Sequence, residues 1–104
     1  MILKESIVCV VGLGYVGLPL TQAFSKTLRV IGYDNDSKKI GQLAKTNTNH
    51  NLLFTDETGE ISKADFIIIC VPTPVSRAKE PDLTYIEDAA RIVGRNIKRG
   101  STVI

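Results

Sequence analysis

A short glycine-spaced turn constrains this chain more than any other feature. Ser6 to Val11 is a continuous apolar, β-branched run, as expected of a strand buried on both faces. It runs straight into Gly12-Leu13-Gly14-Tyr15-Val16-Gly17, and a helix-like segment follows to about Lys26. A second run, Leu28 to Tyr33, stops at Asp34, 22 residues beyond Gly12. A G-x-G-x-x-G pattern alone is weak, because glycine-rich loops produce it by chance. Between a buried strand and a helix, with an acid closing the next strand, it becomes a site with a mechanism. Gly12 permits the tight turn, Gly14 removes a side chain so that the chain's own backbone can approach a ligand, and Gly17 lets the helix lie close on the sheet.

The remaining elements repeat the alternation. Ser37 to Lys45 has helical spacing, with Ile40, Leu43 and Ala44 on one face. Thr46 to Asn51 is nearly all polar and reads as a loop, and Leu52 to Thr55 as a short strand. Phe66 to Val71 is the clearest strand, ended by Pro72-Thr73-Pro74. A polar loop to Asp82 precedes a helix from Thr84 to about Arg99. Thr84 and Glu87 have capping-box spacing, Ile86, Ala89, Ala90, Val93 and Ile97 recur at helical intervals, and Gly100 suits a left-handed end. Ser101 to Ile104 reads as the start of a fifth strand. Apolar strands alternating with helices predict an α/β fold: a Rossmann-type doubly wound parallel sheet, truncated in its fifth strand. An unfinished edge strand there invites another chain, so a homo-oligomer is one expectation.

Composition narrows the function classes. The 104 residues suit one domain, and 43% hydrophobic with 23% charged side chains is ordinary for a globular chain. A net charge of +2 with scattered basic residues argues against nucleic acid or membrane lipid as partner. No apolar run approaches the ~20 residues of a membrane helix, and Met1 to Glu5 does not resemble a signal peptide. A soluble, cytoplasmic domain is expected. Cys9 and Cys70 each lie within an apolar run and read as buried hydrophobes rather than a disulfide. His50 is the single histidine and sits in a polar stretch, so no metal site is expected.

The ligand expected at this turn is NAD. A helix start with free backbone N–H groups suits a pyrophosphate. A carboxylate at Asp34 can accept hydrogen bonds from both adenosine ribose hydroxyls and repels a 2′-phosphate, favouring NAD over NADP. Lys38 and Lys39 follow in the next helix, either as solvated residues or as cations beside the ribose. Ligands in such sheets lie beyond the strand ends where the strand order reverses, between strand one and Phe66–Val71. Thr73 would then face the middle of the dinucleotide, or merely brace an X-Pro turn.

Gly12 to Pro19, Gly32-Tyr33-Asp34, Val71-Pro72-Thr73-Pro74, Pro81-Asp82-Leu83-Thr84 and Gly100 to Ile104 together resemble the UDP-glucose/GDP-mannose dehydrogenase family. The match runs over essentially the whole chain. Pro74-Val75 through Glu80-Pro81-Asp82-Leu83 looks most like the branch acting on UDP-N-acetylhexosamines. The resemblance implies oxidation of a nucleotide sugar's C6 alcohol to a carboxylate in two NAD-dependent steps. It assigns the cofactor to Gly12, Leu13, Gly14, Tyr15, Val16, Gly17, Asp34, Lys39, Val71, Pro72 and Thr73. It also implies that residues 1–104 are an incomplete N-terminal NAD-binding domain. The nucleotide-sugar-binding domain and the catalytic cysteine and lysine would lie outside it, and neither Cys9 nor Cys70 matches that motif. No turnover is expected from this chain alone. Two other readings remain: a 3-hydroxyacid dehydrogenase cofactor domain, against which Tyr15-Val16 and Val71–Pro74 argue, and a regulatory module sensing NAD or ATP.

Overall fold

The computed structural model describes residues 6–72 and 83–104. Five strands form one parallel sheet: β1 (Ile7–Val11), β2 (Arg29–Tyr33), β3 (Leu52–Thr55), β4 (Phe66–Ile69) and β5 (Thr102–Val103). Their order is β3-β2-β1-β4-β5. β1 pairs with β2 from Ile7↔Arg29 to Val11↔Tyr33, and with β4 from Val8↔Phe66 to Val11↔Ile69. The order reverses between β1 and β4, which makes the sheet doubly wound as expected.

Helices cover both faces because every central strand is apolar on both. On one face Val8, Val10, Val30, Leu52 and Phe54 pack with Leu18 and Phe24 of α1 (Gly17–Phe24) and Ile40 of α2 (Ser37–Thr46). On the other, Cys9, Val11, Ile31 and Ile67 pack with Ala89 and Val93 of α3 (Thr84–Asn96) and with Ile61. Ile61 belongs to a 3₁₀ helix, Thr58–Lys63, that no periodicity announced. Burying the apolar side chains on both faces of the sheet contributes stability at roughly 25 cal/mol per Å² of apolar area.

Local chemistry sets several boundaries differently from the sequence reading. α1 stops at Phe24, because the Ser25 hydroxyl donates to the Gln22 carbonyl and its N–H to Thr21, closing the last turn. Pro19 is the third residue of α1, where an N–H has no intrahelical acceptor to lose. α2 is capped by Asp36, whose carboxylate accepts from the N–H of Lys38 and Lys39 at 3.1 and 3.2 Å. Ile40 of α2 is buried and Leu43 half-buried, while Ala44 is exposed. β4 ends at Ile69 rather than Val71, although the Cys70 N–H still reaches the Val11 carbonyl at 2.7 Å. Leu83, not Thr84, is the N-cap of α3, so the expected capping box is displaced by one residue, and the Leu83 side chain makes no capping hydrogen bond. α3 ends at Asn96, and Gly100 makes its left-handed turn (φ +90°) just before β5 rather than at the helix terminus.

Two polar clusters pin the end of the sheet opposite the strand tips. The Asn49 and Asn51 amides donate to the Ser25 hydroxyl and carbonyl at 2.9 and 3.2 Å, tying the α2–β3 loop to the end of α1. Asp65 accepts from the Ile7 N–H at 2.9 Å and pairs with Lys98 at 2.8 Å, joining the starts of β1 and β4 to the approach to β5.

Candidate functional site

β1 delivers its last residue into a turn that folds back over the strand ends. Gly12 adopts φ +102°, and a Cβ there would lie 2.7 Å from the Cys70 carbonyl oxygen, so the position demands glycine twice over. Its N–H donates to the Tyr33 carbonyl at 2.8 Å. Gly17 carries the tighter constraint: a Cβ would sit 1.7 Å from the Gly12 carbonyl oxygen. Gly14 is the opposite case, with nothing within 4 Å of where its Cβ would be. The first and last glycines are thus held by packing, and the middle one faces open space.

Asp34, at the end of β2, is wired into this turn. One carboxylate oxygen accepts from the Leu13 N–H at 2.9 Å, and the other from the Asp36 N–H at 3.0 Å. Lys39 on the first turn of α2 reaches the same carboxylate at 3.6 Å. Leu13 takes part through its backbone, since its side chain is buried in the core. Among the described residues, no acceptor takes the N–H of Gly14, Tyr15 or Val16. These donors, at the positive end of α1, suit an anion.

A crevice of about 760 Å³ lies over the strand ends at the reversal point. Gly12, Leu13, Gly14, Tyr15, Val16, Asp34, Lys39, Val71 and Pro72 all line it. Gly17 lies beneath the turn instead, where it sets the packing of α1. Thr73 falls outside the described residues. Lys38 is exposed and does not line the crevice, whereas Lys39, the lysine that the resemblance assigned to the cofactor, does.

Several lining residues escaped the sequence reading. Asn35 and Asp36 continue the wall from Asp34, and Cys70 forms part of the floor. The far wall is α3, which contributes Tyr85, Asp88, Ala89 and Ile92. Their i, i+3, i+4, i+7 spacing is visible in the sequence, but nothing local shows that this stripe overhangs the glycine turn. Tyr33, at the end of β2, has its phenol pKa raised by burial first and by the nearby Asp34 and Asp56 charges second. Burial also raises the Cys70 thiol, which favours its neutral form. Among the described residues no group of three or more His, Cys, Asp or Glu side chains is placed to hold a metal, and no helix is long and apolar enough to cross a membrane.

Residues 6–49 and 42–104 match the UDP-glucose/GDP-mannose dehydrogenase family, NAD binding domain. The chain belongs to this family. It is 37% identical over 115 aligned positions to the UDP-N-acetyl-D-glucosamine 6-dehydrogenase of Salmonella typhi, covering 98% of this chain and 27% of that protein. Among solved structures it is similar to the UDP-D-ManNAc dehydrogenase of Pyrococcus horikoshii, with TM-score 0.83 and 32% identity over 93% of this chain and 27% of that one. The UDP-N-acetyl-mannosamine dehydrogenase Cap5O of Staphylococcus aureus gives TM-score 0.84 and 26% identity over 94% and 28%. The chain therefore spans about a quarter of the length of the relatives it matches. As a family NAD-binding domain it takes NAD as its cofactor. The open cradle at Gly14, the donors beside it and the acid at Asp34 fit that molecule: an anionic middle and a ribose with two hydroxyls.

Proposed function

We propose that residues 1–104 form the N-terminal NAD-binding domain of a nucleotide-sugar 6-dehydrogenase, with a UDP-N-acetylhexosamine as the favoured substrate. The observation that carries the reading is the Asp34 carboxylate bonded to the Leu13 N–H of the glycine turn, with the crevice opening beside both. In this reading the N–H groups of Gly14, Tyr15 and Val16 hold the pyrophosphate. Asp34 accepts from the adenosine ribose hydroxyls, and Lys39 keeps that carboxylate in place while adding positive charge near the phosphates. Val71 and Pro72 line the path toward the nicotinamide, and the Thr73 hydroxyl is assigned a contact with the cofactor nearer that end. The substrate preference is supported by the names of the similar proteins, which include enzymes acting on UDP-N-acetyl-D-glucosamine and UDP-N-acetyl-D-mannosamine.

Converting a primary alcohol to a carboxylate removes two electron pairs, and NAD supplies the hydride acceptor for each. This chain's share of the work is binding and orientation. The nucleotide sugar and the groups that attack or deprotonate it belong, in this reading, to parts of the protein outside these residues. The setting is cytoplasmic and the assembly a homo-oligomer.

Binding of NAD, NADP and ATP, followed by ligand-observed NMR, tests this directly; the chain has no tryptophan, so its own fluorescence is a poor probe. NAD is expected to bind best, with Asp34→Ala weakening it at least tenfold. Loss of two charge-assisted hydrogen bonds, part-screened by solvent, accounts for that factor. Preference for ATP, or indifference to Asp34→Ala, would overturn the proposal.

A further inference from the structure

The crevice has two walls, and the assignments above use one of them. The glycine turn, Asp34 and Lys39 form the near wall, on the side of the sheet covered by α1 and α2. The far wall is α3, on the opposite face. A nucleoside bound by its ribose at Asp34 must span these walls. Its phosphate leaves the sugar through C5′ on C4′ and its base through C1′, the two ring carbons that flank the ring oxygen, so the two groups diverge to either side of it. With C5′ directed to the turn, the base is directed to α3 and the end of β4.

The chemistry of that wall is uneven. Ala89 and Ile92 offer apolar surface suited to the faces of a purine, and Tyr85 stands one turn earlier, half exposed. Asp88 is the one charged side chain that α3 sends into the crevice among the described residues. Arg91 donates to its Oδ1 at 3.1 Å, which restricts the carboxylate's rotation. An ionised carboxylate accepts hydrogen bonds and donates none. The edge of the base that it meets must therefore carry a donor.

We infer that Asp88 reads the base of the bound dinucleotide, accepting from the exocyclic amine of adenine and so selecting adenine over hypoxanthine. The inference rests on the dinucleotide reading above and adds a specificity-determining residue to it. Adenine presents an amine at position 6, where hypoxanthine presents a carbonyl oxygen. A carboxylate gains a hydrogen bond from the first and faces a lone pair on the second. The Asp88 side chain is 54% exposed, so solvent competes for it, and the discrimination is about tenfold rather than the hundredfold of a buried site.

The test compares NAD with nicotinamide hypoxanthine dinucleotide, binding each to the chain and to three variants. The unaltered chain is expected to hold NAD about tenfold more tightly. Asp88→Ala brings the ratio near one by weakening NAD, and Asp88→Asn, whose amide can accept from the amine or donate to the carbonyl, brings it near one as well. Arg91→Gln keeps most of the preference, separating base reading from a general change of local charge. A ratio near one in the unaltered chain, or a tenfold ratio surviving in Asp88→Ala, overturns the inference while leaving the dinucleotide site intact. Failure of both dinucleotides to bind instead overturns the site assignment, and the inference with it.

Discussion

Gly17→Ala and Gly14→Ala add the same methyl group three residues apart and should have opposite consequences. At Gly17 the new carbon would sit 1.7 Å from the Gly12 carbonyl oxygen and 2.9 Å from its carbon. Both are backbone atoms, so no side chain can swing away. The start of α1 and the turn must separate by at least about 1 Å to restore contact distances seen in real proteins. That movement strains the Gly12 N–H bond to Tyr33 and the Leu13 N–H bond to Asp34, at 2.8 and 2.9 Å. Overpacking plus the weakening of these bonds amounts to about 3–5 kcal/mol. For a domain of this size it lowers the melting temperature by roughly 12 °C or more. At Gly14 the methyl meets nothing, so stability should change by no more than about 0.5 kcal/mol. There the methyl occupies space that the bound pyrophosphate needs, and NAD affinity should fall at least tenfold. Thermal unfolding by circular dichroism, with NAD titration of each variant, measures both quantities. A Gly17→Ala protein melting within a few degrees of the parent refutes the packing argument. A Gly14→Ala protein binding NAD normally refutes the placement of the ligand on the turn.

Other perturbations have equally definite outcomes. The Asp65 carboxyl is held below the usual carboxylate range, first by its hydrogen bond with Lys98 and then by the Ile7 N–H. A depressed folded-state pKa means that its stabilisation is present above about pH 4, where the unfolded carboxyl ionises, and is lost as pH falls through the folded value. Urea midpoints between pH 7 and 2 should therefore decline less steeply in Asp65→Asn, and parallel curves would count against the contact. Lys38→Ala should leave NAD affinity unchanged within twofold while Lys39→Ala weakens it several-fold, since only Lys39 lines the crevice and pairs with Asp34; equal effects by calorimetry would contradict that division. Cys9 is fully buried and its thiol is pushed up to about 12. At pH 8 a thiol-specific disulfide reagent should label it only as fast as the chain unfolds, and rapid labelling without denaturant would show the sheet centre to be open.

The legible parts of this chain are those in which local pattern and tertiary position coincide. β1 and β4 are rich in β-branched residues and β2 carries Val30 and Ile31, and all three strands send apolar side chains into both helix layers, so hydrophobicity alone marks them. The glycine turn and Asp34 were readable because a tight strand-to-helix turn restricts residue type whatever surrounds it. The 3₁₀ helix at Thr58–Lys63 was not, because six residues make barely two turns and only Ile61 is buried. The Asp36 cap was overlooked beside Asp34, although Asp followed by Ser-Lys-Lys-Ile is an ordinary helix start. Thr84 and Glu87 misled by one residue: their spacing fits a cap, yet the helix already includes Thr84. The α3 wall was hidden for a different reason. Tyr85 and Asp88 meet Gly14 and Asp34 only through the order of the strands, and that order is not written in any one segment.

The sheet order also has a kinetic consequence. β1 and β2 are joined by one short crossover, whereas the β1–β4 pairing closes a loop that separates Ile7 from Asp65 by 58 positions. Loop closure of that length makes the β1–β4 seam slow to form, and until it forms one edge of β1 stands open to other chains. The crevice lies on this seam, so the ligand site is assembled among the last contacts made. A dinucleotide added during refolding should thus leave the folding rate unchanged and slow unfolding instead, acting as a latch rather than a template.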